Sequence, residues 1–165
     1  MLRITLVLIA SLVALLGCAT TEYATTAPTI FVMRHLNTPA GVANPDLTSD
    51  GDRAAIALVA WFQKRNKPTV IYVSSTKRAQ QTAAPLARSL GITPRIYDPA
   101  DTPKLIADVT RDSQVVLVVG HSNTVPELIE RLGGQRPAPL VHEDFGDIWQ
   151  LRGWPRETRK FRIQT

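Results

Sequence analysis

Three short apolar runs, Ile30–Met33, Val70–Val73 and Val115–Val119, each end against a cationic or imidazole segment. The segments are Arg34-His35, then Ser74-Ser75-Thr76-Lys77-Arg78, then Gly120-His121. Runs of four or five aliphatic, mostly β-branched residues bounded by polar punctuation read as strands buried on both faces; short core helices are the alternative that periodicity leaves open. In an open parallel sheet the ligand crevice lies beyond the carboxyl ends of the strands, where groups far apart in sequence converge. The recurrence therefore points to one anion site assembled at three strand ends.

Helical patterns fill the intervals. Thr48–Gly51 opens one whose apolar positions run over Ala54–Phe62 and which closes near Arg65, with Asn66 and Pro68 as stops. Ala79–Leu90 forms a second, ended by Gly91. Thr102-Pro103 reads as an N-cap followed by proline in the first helical position, with Leu105, Ile106 and Val109 on one face. Thr124-Val125-Pro126-Glu127 has the capping-box spacing and starts a fourth helix just after His121. Ile148–Leu151 and Phe161–Gln164, around Gly153-Trp154-Pro155, suit a hairpin. Alternating strands and helices argue a three-layer α/β domain over residues 29–165 with a mostly parallel sheet, in which Trp61, Phe62 and Trp149 are core. A chain of 165 residues, 44% apolar and 20% charged, has room for one such core.

The first residues stand apart from it. A basic start, Met1-Leu2-Arg3, precedes the apolar stretch Ile4–Leu16 and then Gly17-Cys18, which is the pattern of a secretory signal peptide over residues 1–17. That stretch is short for a membrane span, which needs about 20 apolar residues. Leu15-Leu16-Gly17-Cys18 resembles the bacterial lipobox, which implies lipidation of Cys18 and attachment to a membrane through that lipid. As the single cysteine, Cys18 has no internal disulfide partner. Ala19, where an aspartate would retain such a protein, implies an outer membrane facing the periplasm if the host has one. Residues 18–28, rich in Thr and Ala, read as a tether.

Without residues 1–17 the chain keeps 148 residues and a net charge of +4. In the tail Arg152, Arg156, Arg159, Lys160 and Arg162 face only Glu157, a pattern that usually marks a solvated face. The tail lacks the interleaved aromatics of a stacking platform, and an exported location does not suit nucleic acid, so no nucleic-acid partner is expected; acidic small molecules or anionic headgroups are. The three histidines lack close ligand spacing, so no metal and no other cofactor is expected. His142 reads as structural, and Glu143, Asp144 and Asp147 as a loop facing either solvent or a pocket rim.

A phosphoryl dianion needs fixed positive charge and a fork of donors, which Arg34 and Arg78 offer. Helix N-termini following two of the strand ends add backbone N–H groups. A neutral imidazole, His35 or His121, aimed at phosphorus can act as nucleophile and split hydrolysis into two easier steps. Asn123 either donates to the phosphate or supports the following helix start.

The motifs go further. Val32-Met33-Arg34-His35, Leu47-Thr48-Ser49-Asp50-Gly51, the segment from Ser74 to Ala83 and Val119-Gly120-His121-Ser122-Asn123-Thr124 occur in the order of the histidine phosphatase superfamily, the phosphoglycerate mutase-like proteins, which this chain resembles. The resemblance implies a metal-free phosphoryl transfer in which His35 becomes phosphohistidine while Arg34, Arg78 and His121 hold the phosphoryl group, on a small phosphorylated substrate. Mutase activity is less favoured, because 148 residues leave little for a lid over the site.

Two departures matter. Leu36 and Asn37 stand where the family usually has glycine and often an acid; the leucine would crowd the pocket mouth or alter the backbone contact orienting the nucleophile, and Asn37 is taken as a further substrate contact. Ser122 removes one of the family's two positions for a proton donor, so Asp98 and Asp101 are the candidates, Asp101 preferred because it precedes a helix, with turn and cap roles as the alternative. The sequence thus leads to a phosphatase hydrolysing a phosphomonoester or a phosphoprotein through His35. The alternatives are a non-catalytic phosphoryl-binding lipoprotein of the same fold and a lipoprotein whose basic tail contacts acidic envelope polymers.

Overall fold

The structure, a computed structural model, describes residues 27–112 and 114–163. The signal peptide and Cys18 lie outside those residues. In chain order the elements are β1 (Ile30–Arg34), α1 (Ser49–Gln63), β2 (Val70–Ser74), α2 (Lys77–Leu90), β3 (Arg95–Tyr97), α3 (Thr102–Arg111), β4 (Val116–Gly120), α4 (Val125–Arg131), β5 (Asp147–Arg152) and β6 (Glu157–Arg162). The three apolar runs become strands whose every residue is buried, each taking in the polar or glycine residue that follows the run, with Val115, half-buried, left just before β4.

The six strands lie in the order β3-β2-β4-β1-β5-β6. Pairings among β3, β2, β4 and β1 are parallel; β5 and β6 run antiparallel, as the hairpin reading anticipated. Because side chains alternate across a strand, Phe31 and Met33 face α1 and α2 whereas Ile30 and Val32 face α3 and α4, giving one core on each side of the sheet. Trp61 and Phe62 belong to the first core and Trp149 to the second. Phe31 meets Trp61 and Phe62 edge-on, with ring centroids 5.7 and 5.1 Å apart, contacts each worth about 1 kcal/mol beyond the area they bury.

Local signals set the helix ends, with two corrections. Thr48 caps α1 through the Gly51 N–H at 3.2 Å, and a Cβ at Gly51 would stand 2.5 Å from the Asn37 carbonyl oxygen, so only glycine permits this approach. Gly91 ends α2 at φ 66°, the left-handed conformation that glycine adopts without strain. The cap of α3 is Asp101, not Thr102: its carboxylate accepts the Lys104 N–H at 3.1 Å. No capping box forms at α4, because Thr124 Oγ1 accepts from the His121 N–H at 3.0 Å and Glu127 pairs with Arg131 at 2.9 Å. Strand β3, three mostly exposed residues at the sheet edge, has no apolar run to announce it.

The basic tail is also more engaged than a solvated face. Lys160 and Arg162 pair with the buried Asp147 at 2.7 and 3.1 Å, and Arg159 pairs with Glu157. Arg156 donates to the Pro28 carbonyl.

Candidate active site

Parallel pairing brings the ends of β1, β2 and β4 side by side, since Arg34 is in register with Gly120 and the His35 N–H donates to the Gly120 carbonyl at 2.9 Å. An open cavity of about 390 Å³ lies beyond these ends, lined by Arg34, His35, Arg78, His121 and Asn123 together with the segment from Thr38 to Pro45, Ser122 and His142. Four groups from three separate segments thus converge as the sequence anticipates.

His35 is 5% exposed, and its Nδ1 lies 2.8 Å from the Leu36 carbonyl oxygen. A carbonyl only accepts, so the proton sits on Nδ1 and the lone pair on Nε2. Burial, with the charges of Arg34, Arg78 and His121 adding to it, pushes the His35 imidazole down to about 3. His121 sits with its ring centroid 5.4 Å from that of His35. Arg78 Nη2 donates toward His121 Nδ1 at 3.4 Å, which leaves the proton on Nε2 to be donated to Ser74 Oγ at 2.8 Å. Burial, then Arg78 and Arg34, lowers His121 to about 4. Both rings are therefore neutral near pH 7, and two guanidiniums supply the positive charge. Among the described residues, no Asp or Glu lines the cavity.

Arg34 does more than line it. Its Nη1 donates to the carbonyls of Val141, His142 and Asp144 at 2.7, 3.0 and 3.4 Å, and the guanidinium lies 4.1 Å from the Phe145 ring centroid. The loop before β5 is thereby folded over the strand ends as one wall. The opposite wall, Thr38–Pro45, is held by Asn44, whose side-chain oxygen accepts the Lys77 N–H at 3.1 Å from a left-handed backbone at φ 44°. Thr82 joins β1 to α2: its Oγ1 accepts from the Leu36 N–H at 2.9 Å and donates to the Arg78 carbonyl at 2.7 Å.

Four sequence expectations are corrected. Leu36 does not crowd the mouth; its side chain is fully buried in the core beneath α1 and α2, and only its backbone serves the site. Asn37 is not a lining residue: its carbonyl accepts the Thr48 N–H at 2.9 Å, and the neighbouring Thr38 faces the cavity instead. Asp101 lines a separate cavity with Tyr97 and Lys104, and Asp98 accepts the Ala100 N–H at 2.9 Å, so both are cap and turn residues away from His35. His142, taken as structural, lines the cavity. Sequence reading passes over Thr38, Asn44 and Phe145 because they lie in loops without periodicity. Ser74 and Thr82 are visible only as members of a motif.

Burying two neutral imidazoles makes stability depend on pH. Below about pH 6.5 the unfolded chain binds two protons that the fold excludes until about pH 4 for His121 and pH 3 for His35. Stability is therefore full above pH 6.5 and falls as pH drops, by ~1.4 kcal/mol per unit for each ring. Denaturant midpoints between pH 6.5 and 5 are expected to show this slope, and His35→Asn to remove about half of it; a slope equal in both proteins would contradict two neutral buried rings.

A family model described as histidine phosphatase superfamily (branch 1) matches residues 30–100. Among solved structures, the protein histidine phosphatase SixA complexed with tungstate is 19% identical, covers 82% of this chain and 97% of its own, and superposes with a TM-score of 0.64. The SixA protein of Nakamurella multipartitia is 23% identical, over 84% of this chain and 95% of its own, with a TM-score of 0.56. A mycobacterial glucosyl-3-phosphoglycerate phosphatase in complex with inorganic phosphate gives 18% identity, coverage of 84% and 98%, and a TM-score of 0.63. Likeness at these identities establishes the three-layer fold. No curated protein sequence matches the chain.

Proposed function

We propose, for a chain that belongs to the histidine phosphatase superfamily through the segment bearing Arg34, His35 and Arg78, that it is a metal-independent phosphatase of phosphomonoesters or phosphoproteins. The observation carrying this reading is the His35 imidazole, neutral and tied at Nδ1, set between two guanidiniums and a second imidazole in an open cavity. Nε2 of His35 attacks phosphorus; the N–P bond forms as the P–O bond to the leaving group breaks, and that oxygen leaves as the anion and takes its proton from water. Water then attacks the phosphohistidine, the N–P bond breaks, and inorganic phosphate is released with His35 regenerated. Arg34 and Arg78 neutralise the transferring phosphoryl group, supplying the preorganised charge that accounts for most of such a rate enhancement. His121, held through Arg78 and Ser74, stands beside His35 as a further group holding the phosphoryl oxygens. Asn123 stands at the rim as a further contact.

With no Asp or Glu lining the cavity among the described residues, the substrates that fit are those with good leaving groups, such as an aryl phosphate or the phosphoramidate of a phosphorylated histidine, in keeping with the protein histidine phosphatase that shares the fold. The same lack favours the second reading, a phosphoryl-ligand binder without turnover. Rapid quenching after mixing with a small aryl phosphate, without added metal, separates them: an acid-labile, alkali-stable phosphoryl adduct mapped to His35 is expected, and tight phosphate binding with no adduct would leave only the binder. We further propose that the chain is exported and anchored through lipid on Cys18, in the outer membrane facing the periplasm where the host has one. The apolar run, the lipobox-like segment and the single cysteine support this reading.

A further inference from the structure

We propose that the end of the domain opposite the crevice, formed around the β5–β6 turn, rests on an anionic membrane surface and so turns the crevice toward the aqueous phase. The inference rests on the membrane attachment proposed above.

Topology separates the two ends. The catalytic groups follow the carboxyl ends of β1, β2 and β4, whereas the antiparallel register Ile30↔Leu151 sets the β5–β6 turn beside the start of β1. The chain enters the domain at that same end, where Arg156 of the turn donates to the Pro28 carbonyl. Only the ten residues from Cys18 to Ala27 lie between the lipid site and this point, a reach of at most ~35 Å even if fully extended. A lipid on Cys18 therefore brings this end of the domain, where the chain enters, to the membrane at high effective concentration.

What it delivers suits a lipid surface. Trp154 is 81% exposed at the turn, the most exposed of the large apolar side chains among the described residues. Arg156 within the turn donates to the Pro28 carbonyl, and just past it, in β6, Thr158 Oγ1 accepts the Gln135 N–H at 2.8 Å. Arg152 beside the tryptophan is exposed and carries no ion pair among the described residues, and neither does Lys67 in the loop feeding β2. Glu157, opposite Arg152 in the β5–β6 ladder, pairs with Arg159, and Glu130 pairs with Arg136. An indole sits at the headgroup level with its ring apolar and its N–H wet, while uncompensated cations are drawn to anionic lipids. A phosphoryl group on a bilayer lipid would then lie under the wrong end of the molecule, and one on a soluble molecule or protein would meet the open cavity.

The test uses the full chain bound to vesicles of phosphatidylethanolamine and phosphatidylglycerol that carry a brominated acyl chain. Trp61 and Trp149 are 9% and 4% exposed, so quenching of tryptophan emission is expected to come from Trp154 and to be lost in Trp154→Phe. Replacing phosphatidylglycerol by phosphatidylcholine, or Arg152 and Lys67 by Glu, is expected to reduce it at least twofold. A bound wild-type chain without quenching, or quenching that survives Trp154→Phe, would overturn the proposal; the former is also the result if a soluble protein covers the turn. The mass of the mature N-terminus reports on Cys18 separately. An unlipidated chain with Trp154-dependent quenching keeps the docking and removes the tether, and a lipidated chain without quenching does the reverse.

Discussion

His35→Asn is expected to lower kcat on an aryl phosphate by at least ~10⁴-fold, the scale seen when a covalent nucleophile is removed, while leaving the protein folded and able to bind phosphate. The imidazole is 5% exposed and its only protein hydrogen bond among the described residues is from Nδ1 to the Leu36 carbonyl at 2.8 Å. Asparagine keeps a donor near that carbonyl but has no nucleophilic ring nitrogen to attack phosphorus. Phosphate binding, followed as a rise in Tm with ligand concentration, is expected to persist because Arg34, Arg78 and His121 are untouched. Activity within tenfold of the original would remove His35 from the nucleophile's role.

Arg34→Met is expected to act in the opposite combination, losing both anion binding and structure. Nη1 satisfies three loop carbonyls, of Val141, His142 and Asp144, and the ring of Phe145 lies against the guanidinium. Nη1 has two N–H groups to share among these part-buried carbonyls, so deleting it costs about 2 kcal/mol, at ~1 kcal/mol for each bond, and frees the wall of the cavity. Phosphate affinity is expected to fall at least ~100-fold with it. Arg34→Lys is expected to recover little, because an ammonium on a flexible stem cannot serve the loop carbonyls and a ligand from one planar fork. Equal phosphate affinity in Arg34→Lys and the original protein would show that Arg34 acts on the loop alone. The buried Arg34 Nε, which has no partner among the described residues, fits a group whose position is set by its terminal nitrogens and by the ligand they face.

The two variants together separate chemistry from architecture. Arg34 belongs to the last rung of β1 and to the loop wall, whereas His35, one residue along, belongs to the crevice. Their neighbour Leu36 has turned into the core.

Residue order was enough to reveal the strands that end at the site and the identity of the groups they carry. Buried strands need uninterrupted apolar runs, and the first polar residue after each run must emerge at the sheet's edge, which is why Arg34-His35, Ser74 and Gly120-His121 were legible as a set. Helix α1 was equally legible, because Thr48 and Gly51 are required locally. Which way the loop residues point, and which loops share a wall, came only from the assembled fold. Whether Asn37 or Thr38 faces the ligand turns on the Thr48 bond to the Asn37 carbonyl; whether Asp101 or His142 reaches the cavity turns on β3 lying at the far edge of the sheet and β5 pairing with β1. Such choices are made by contacts between segments distant in sequence, for which no local period or cap leaves a trace.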